Sequence, residues 1–287
     1  MKNVFKTIAI IGKYNNPDLR QQIKLLANFF VTRNIEVLIE YDTALHCNIS
    51  DIKLIKMESI GDQVDLAVVL GGDGTMLSVS RGLVNSQIPL VGINQGRVGF
   101  LTDISSEKMI EAMDKILSGE YLLERRTLLQ ATIVRSNELV GCGLAMNDVV
   151  VNKSGMSRLI ELEVNIDGQF VHRQRSDGLI LATPTGTTAY ALSAGGPILH
   201  PSLEALALVP ICPHTLSNRP IAISSSSKIE ITLIHADDAG IHFDGQMHME
   251  LLPGDKIMVE SAENKVSLLH PAGHSHYDML REKLNWG

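Results

Sequence analysis

Over the first 118 residues, short apolar runs alternate with stretches in which apolar positions return every three or four residues. TIAIIG at 7–12, IEVLIE at 35–40, residues 64–70 and IPLVGI at 88–93 are compact runs rich in β-branched residues, which suit buried strands. Between them, residues 17–33 set Leu19, Ile23, Leu26, Phe29 and Phe30 at helical spacing. Residues 76–84 continue as a helix from a glycine-rich turn, and 105–118 open on Ser105, Ser106 and Glu107, a helix start. Strand and helix in alternation predict a parallel sheet with right-handed crossovers. Near residue 121 the rhythm changes. QATIVRS, LAMNDVVVNK, LIELEVNIDGQFV, GLILATP, IAISSSSKIEITLIH, GIHFDGQ and KIMVESAENKVSLLH are alternating or β-branched runs parted by Gly, Asp, Asn and Ser. IDGQ at 166–169, between two such runs, predicts a hairpin. The pattern gives an α/β domain over 1–121 and a mostly antiparallel β-rich domain over 122–270. A last segment, 271–287, has a helical stretch, YDMLREKLNW, that returns to the first domain.

Composition narrows the class. The chain has 287 residues, 45% of them hydrophobic, enough for a sizeable core in one large or two ordinary domains. A net charge of −7 argues against a nucleic-acid scaffold or a basic membrane-surface protein. No apolar run reaches the roughly 18 to 20 residues that a membrane-spanning helix needs. The start, MKNVFKTIAIIGKY, reads as a first strand, since its apolar run is short for a signal peptide and no small-residue cleavage site follows. Cys47, Cys142 and Cys212 show no CxxC spacing and read as reduced thiols of a cytoplasmic protein.

The chemistry concentrates in three stretches. VVLGGDGTML, residues 68–77, follows a strand with a glycine-rich turn, where bare N–H groups receive anions. It is not a P-loop, for it lacks GxxxxGK[ST]. Nor is it GxGxxG, and Gly92, Gly96 and Gly99 of GINQGRVG have another spacing. One reading makes Asp73 a helix cap. The other lets Gly71, Gly72 and Thr75 hold phosphate while Asp73, flanked by glycines, meets a substrate hydroxyl and accepts its proton. RSDGLILATPTGTTAYALSAGGPILHP, residues 175–201, offers backbone and hydroxyl groups to a purine, ribose or phosphate, or is a turn-rich β connection. Asn147 and Asp148 of MNDVVVNK read alone as a turn pair. His270, His274 and His276 lack an acid or thiol cluster and read as a solvated segment, and His242 and His248 as exposed strand positions. No metal ligands are identified.

In combination these stretches are recognisable. GGDGT after a strand, GINQGRVGFL, NDVVV, the 175–201 segment and PICPHTLSNRPIAI, in this order, closely resemble the bacterial NAD kinases over residues 7–284. GGDG alone is shared with phosphofructokinases and lipid kinases. The resemblance implies ATP, or polyphosphate, phosphorylating the adenosine ribose 2′-hydroxyl of NAD to give NADP, with a divalent ion such as Mg²⁺ arriving on the nucleotide. It implies that Asp73 is the base and Gly74 lines the dinucleotide. Asn147, Asp148, Arg158, Arg175, Asp177 and Gln246 would contact NAD, and Thr188, Ala189, Tyr190, Ala191, Leu192 and Ser193 would line its adenosine part. Homodimers or homotetramers follow from the same resemblance. Two rivals remain at this level: a non-catalytic NADP sensor, and a lipid or sugar kinase of the same superfamily. Asp73 between its glycines disfavours the first, and the TAYALS run disfavours the second.

Overall fold

The computed structural model describes residues 5–12, 19–96, 99–155, 158–215 and 217–286. Residues 17–18 of the expected first helix, Arg97 and Val98 of GINQGRVGFL, Met156 and Ser157 before Arg158, and Leu216 of PHTLSNRP lie outside these. The chain divides into two compact units, Met1–Arg125 with Lys265–Gly287, and Arg126–Asn264. No helix among the described residues is long and apolar enough to cross a membrane.

The first unit is built on an eight-stranded sheet. Its order is Lys53–Ile55, Glu36–Glu40, Thr7–Gly12, Leu66–Leu70, Leu90–Asn94, Val266–Pro271 and Tyr121–Arg126, with Ile104–Ser105 beside Leu90–Asn94. The pairs from Lys53–Ile55 through to Val266–Pro271 run parallel, as the strand–helix alternation predicts. Leu66–Leu70 and Leu90–Asn94 are buried at every position, because both faces of the sheet are covered. The helix Leu19–Val31 turns Leu19, Ile23, Leu26 and Phe30 inward, and Met109–Leu117 turns Met109, Met113 and Ile116 inward. Both pack on Ile8, Ile10, Val68 and Val91. The C-terminal helix, His276–Leu284, is capped by Ser275 and buries Met279 and Leu280.

The expected β-rich span, 122–270, is too wide at both ends. Tyr121–Arg126 and Val266–Pro271 are the last two strands of the first unit's sheet, and Leu268 pairs with Leu90. KIMVESAENKVSLLH is therefore two strands in two sheets, split at the SAEN turn. Several elements also went unpredicted, among them the strands Ala205–Ile211 and Met247–Leu251. The helix Tyr41–His46 has Glu40 as its cap, with the carboxylate accepting from the Asp42 and Thr43 N–H groups, and Lys53–Ile55 is a three-residue strand.

The second unit is a sandwich of two six-stranded antiparallel sheets. One runs Ile221–Ser224, Ala205–Ile211, Gly178–Ala182, Asp148–Lys153, Ala239–Phe243, Met247–Leu251. The other runs Gln169–Ser176, Ile160–Ile166, Ile229–His235, Lys256–Ser261, Leu129–Arg135, Glu138–Ala145. Alternation sorts the side chains: Val149, Val151, Ile241 and Phe243 join the core between the sheets. Val150 turns to the opposite face and packs with Ile180, Ala182, Ala191, Leu199 and Val209. The IDGQ hairpin forms as expected, with Asp167 and Gly168 at φ 51° and 76° and Ile166 paired with Gln169.

Candidate active site

In the first unit, strand Leu66–Leu70 ends at Gly71 and the helix Asp73–Leu83 begins two residues later, capped by Gly72. A Cβ at Gly71 would sit 2.5 Å from Thr75 Oγ1, so glycine lets the turn close. The Gly71 N–H donates to Ile93 O at 3.0 Å and the Thr75 N–H to Gly72 O at 3.0 Å. These two are engaged internally, which narrows the expected phosphate cradle. Among the described residues, the Gly72 and Asp73 N–H groups have no acceptor, and they stand at a helix N-terminus, where the dipole favours an anion.

Asp73 does not cap its own helix. Its carboxylate is held by the turn 99–102. Oδ2 accepts from the Phe100 N–H at 2.8 Å, and Oδ1 accepts from the Leu101 N–H at 3.0 Å, the Thr102 N–H at 3.2 Å and the Thr102 hydroxyl at 3.2 Å. Buried Asn94 donates to Thr102 Oγ1 at 2.8 Å from behind. Asn94 and Thr102 were not singled out in the sequence, although the GINQG…GFLT stretch contains both. Gly74 is exposed at the head of the same helix.

In the second unit, Asn147, Asp148, Val150, Asn152, Ala189, Tyr190, His242, Asp244 and Gly245 line a cavity of about 370 Å³. Asp244 and Gly245, at φ 52° and 63°, are the central residues of a turn closed by the Gln246 N–H on Phe243 O at 2.9 Å. The Asp244 carboxylate accepts from the Met146, Asn147 and Asp148 N–H groups at 3.0, 2.7 and 3.2 Å. It thereby fixes the backbone that presents Asn147 and Asp148. Asp244 has no role legible in the sequence, where nothing ties its carboxylate to residues 146–148.

Asp148 is 4% exposed, and burial, then the neighbouring Asp244 carboxylate, pushes its carboxyl up to about 7. Burial, then His248, lowers His242, so its ring is neutral near pH 7. His242 is thus a half-buried wall residue and not an exposed strand position, while its cross-strand partner His248 is exposed. Burial raises the Tyr190 phenol, which stays an O–H. Apolar Val150, Ala189 and the Tyr190 ring, with polar Asn147, Asp148, Asn152 and His242, suit a flat heterocycle bearing donors and acceptors.

In the 183–188 segment the threonine hydroxyls bond to backbone carbonyls. Thr183 Oγ1 donates to Met146 O, Thr187 Oγ1 to Pro184 O and Thr188 Oγ1 to Thr185 O, at 2.5, 2.7 and 3.1 Å. A Cβ at Gly186 would lie 2.0 Å from Asn147 O. The Thr183 hydroxyl thus braces the 146–147 backbone, while those of Thr187 and Thr188 bond within their own segment. Ala191 is buried in the apolar cluster on that face, so its side chain does not line the cavity. Leu192 is half-buried and Ser193 exposed. Among the described residues, the cavity wall does not include Arg158, Arg175, Asp177 or Gln246. Arg158, Arg175 and Gln246 are exposed, and Asp177 pairs with Lys153 at 2.9 Å.

His270 and His274 are not solvated. His270 is buried and His274 half-buried against Asp103 in the first unit, an acid that lies far away in sequence.

An α/β unit with a carboxylate at an anion-directed helix head, and a β-sandwich with a cavity for a heterocycle, mark a nucleotide-handling enzyme without a P-loop. Residues 8–121 match the ATP-NAD kinase N-terminal domain and residues 146–271 the ATP-NAD kinase C-terminal domain. An NAD kinase of Thiobacillus denitrificans is 53% identical over 287 residues, covering 100% of this chain and 99% of the relative. One from Laribacter hongkongensis is 48% identical at the same coverage. Among solved structures, yeast NADH kinase complexed with NADH superposes with a TM-score of 0.89 at 26% identity, covering 100% of this chain and 89% of that one. An NAD kinase from Archaeoglobus fulgidus in complex with ATP gives 0.75 at 28%, covering 97% and 98%. The chain belongs to the NAD kinase family and is an enzyme of that class.

Proposed function

We propose that this chain transfers the γ-phosphoryl group of ATP to the 2′-hydroxyl of the adenosine ribose of NAD, with Asp73 accepting the hydroxyl proton. The ribose oxygen–phosphorus bond forms as the bond to the ADP oxygen breaks, and NADP and ADP leave. The observation that carries this reading is the filling of the Asp73 carboxylate. A carboxylate accepts at about four sites, two on each oxygen. Oδ1 has three donors and Oδ2 has one, so Oδ2 keeps a place for a substrate hydroxyl. The Phe100 to Thr102 donors fix its direction before substrate arrives, which removes a reorganisation cost from the reaction.

The Gly72 and Asp73 N–H groups then take phosphate oxygens. Asn147, Asp148, Ala189 and Tyr190 contact the dinucleotide, and the exposed guanidinium groups of Arg158 and Arg175 meet its phosphates. The yeast protein's complex with NADH and the archaeal protein's complex with ATP support this pair of substrates. Mg²⁺ takes oxygen ligands and keeps several waters. Among the described residues, the one cluster of three spaced for a metal is two imidazoles and a carboxylate, which does not suit it. In this reading the ion arrives with the nucleotide, as MgATP.

The test is NADP formation from NAD and MgATP by the wild type and by Asp73→Asn. Losing a general base typically costs about 10² to 10⁴ in rate, with NAD binding retained. Near wild-type turnover in Asp73→Asn would remove the base assignment. NADP binding without turnover in the wild type, with polyphosphate also tried as donor, would favour the sensor.

A further inference from the structure

The first unit holds a buried cluster that the reaction leaves without a role. His270, 2% exposed, sets Nδ1 3.0 Å from Asp103 Oδ2. Its Nε2 lies 3.2 Å from Glu124 Oε2, within ion-pair reach though outside hydrogen-bond geometry. His274 sends its own Nδ1 to the same Asp103 oxygen at 2.7 Å. The two rings stack, with centroids 4.0 Å apart and planes 19° from parallel.

The three ligand atoms lie within 4.8 Å of one another, a spacing open to a metal. The stacking argues against one. A cation bound at about 2.0–2.1 Å to each ring nitrogen lies near the plane of both rings, and nearly parallel rings share no such point close to Nδ1. The geometry instead sandwiches an imidazolium between two carboxylates. Burial alone would lower His270, but Asp103 and Glu124 outweigh it and lift it to about 8. Burial would raise Asp103, but His270 and His274 hold it at about 2. Glu107, Lys108, Glu111 and Lys115, with Glu282 of the C-terminal helix, line the cavity beside Asp103.

Asp103 directly follows the turn that holds Asp73. The turn closes through the Gly99 N–H on Thr102 O at 3.0 Å, and Asn94 fixes Thr102 from one side. Asp103, the next residue, is held by His270 and His274. We propose that the C-terminal segment is a clasp on this turn. His270 and His274 are positioning residues that hold Asp103, and through it keep the Phe100, Leu101 and Thr102 N–H groups on the Asp73 carboxylate. The proposal rests on the role given to Asp73 above. The held form is the charged one, so the clasp is closed below pH 8 and loosens above it.

The test combines amide hydrogen exchange with steady-state kinetics on the full chain. In His270→Gln, exchange at Phe100, Leu101 and Thr102 should rise at least about tenfold. Its kcat should fall by up to about 100-fold, the scale of a small misplacement of reacting groups, with both KM values within about twofold. The wild type's loss of rate above pH 8 should be absent in it. Glu124→Gln, at a partly exposed partner, keeps the idea testable should His270→Gln not fold, and should move that alkaline limb to lower pH. Unchanged exchange in folded His270→Gln, or an unmoved limb in Glu124→Gln, overturns the clasp. If the wild type makes no NADP yet exchange responds, the catalytic reading falls and the clasp stands. If NADP forms and exchange does not respond, the reverse holds.

Discussion

Replacing Asp148 by Asn makes the energetics of the second unit measurable. Folding raises this carboxyl from 3.8 to about 7, burial being the larger cause and Asp244 the second. Between those values the folded chain keeps a proton that the unfolded chain has lost. Stability from this group therefore falls as pH rises from about 4 to 7, and is level on either side. The shift is about three pH units. At about 1.4 kcal/mol each, it corresponds to roughly 4 kcal/mol, as an upper figure. Asn has nearly the same shape and does not titrate, so the substitution removes this dependence and little else. Urea unfolding of both proteins at half-unit steps from pH 4 to 8 gives the assay. The Asn variant should gain on the wild type steadily through this window, then run parallel above pH 7.5. Two parallel curves from pH 4 upward would refute the reasoning, because they would mean that Asp148 ionises as freely folded as unfolded.

Two further substitutions test the supports around Asp73 and Asp148. In Gly99→Ala the new methyl would lie 2.0 Å from Asp73 Oδ1 and 2.6 Å from its Cγ. Overpacking of this kind costs about 1–3 kcal/mol, and turnover should fall at least about tenfold; Gly96→Ala, whose nearest contact is Asn94 Oδ1 at 3.9 Å, is the matched control. Asp244→Ala strips the acceptor from three N–H groups. Bonds to a charged acceptor contribute about 1.5–3 kcal/mol each, so thermal unfolding should register a loss of at least about 3 kcal/mol, and the Asp148 titration should move down as a like charge leaves.

What the sequence made legible follows from how local each signal is. Val68 to Leu70 read as a buried strand because the whole run is apolar, and IDGQ read as a hairpin because Asp167 and Gly168 alone supply its two positive φ angles. The same logic located the Asp73 turn, whereas Asn147–Asp148 read alone as a turn pair and drew a role only from the family resemblance. What stayed hidden depends on pairing across long separations. Val266–Pro271 has the look of any alternating strand, and only its pairing with Leu90 assigns it to the parallel sheet. Thr183 lies in a stretch with the composition of a ligand loop, yet its hydroxyl donates to the Met146 carbonyl, 37 residues away. His270 and His274 looked solvated because their acid lies 167 and 171 residues off.

The hidden part has a common physical character. Asp73 and Asp103 are held at the carboxylate by donors or charges from a distant segment, residues 100–102 and the C-terminal histidines, whereas at Asp148 the Asp244 turn holds the backbone N–H and adds to burial in raising the carboxyl. A carboxylate buried without such partners would neutralise or move. The partners therefore decide whether it acts as a base, an acceptor or an anchor. Identity and spacing name the carboxylates in this chain, and the segments that set their roles are legible only in the fold.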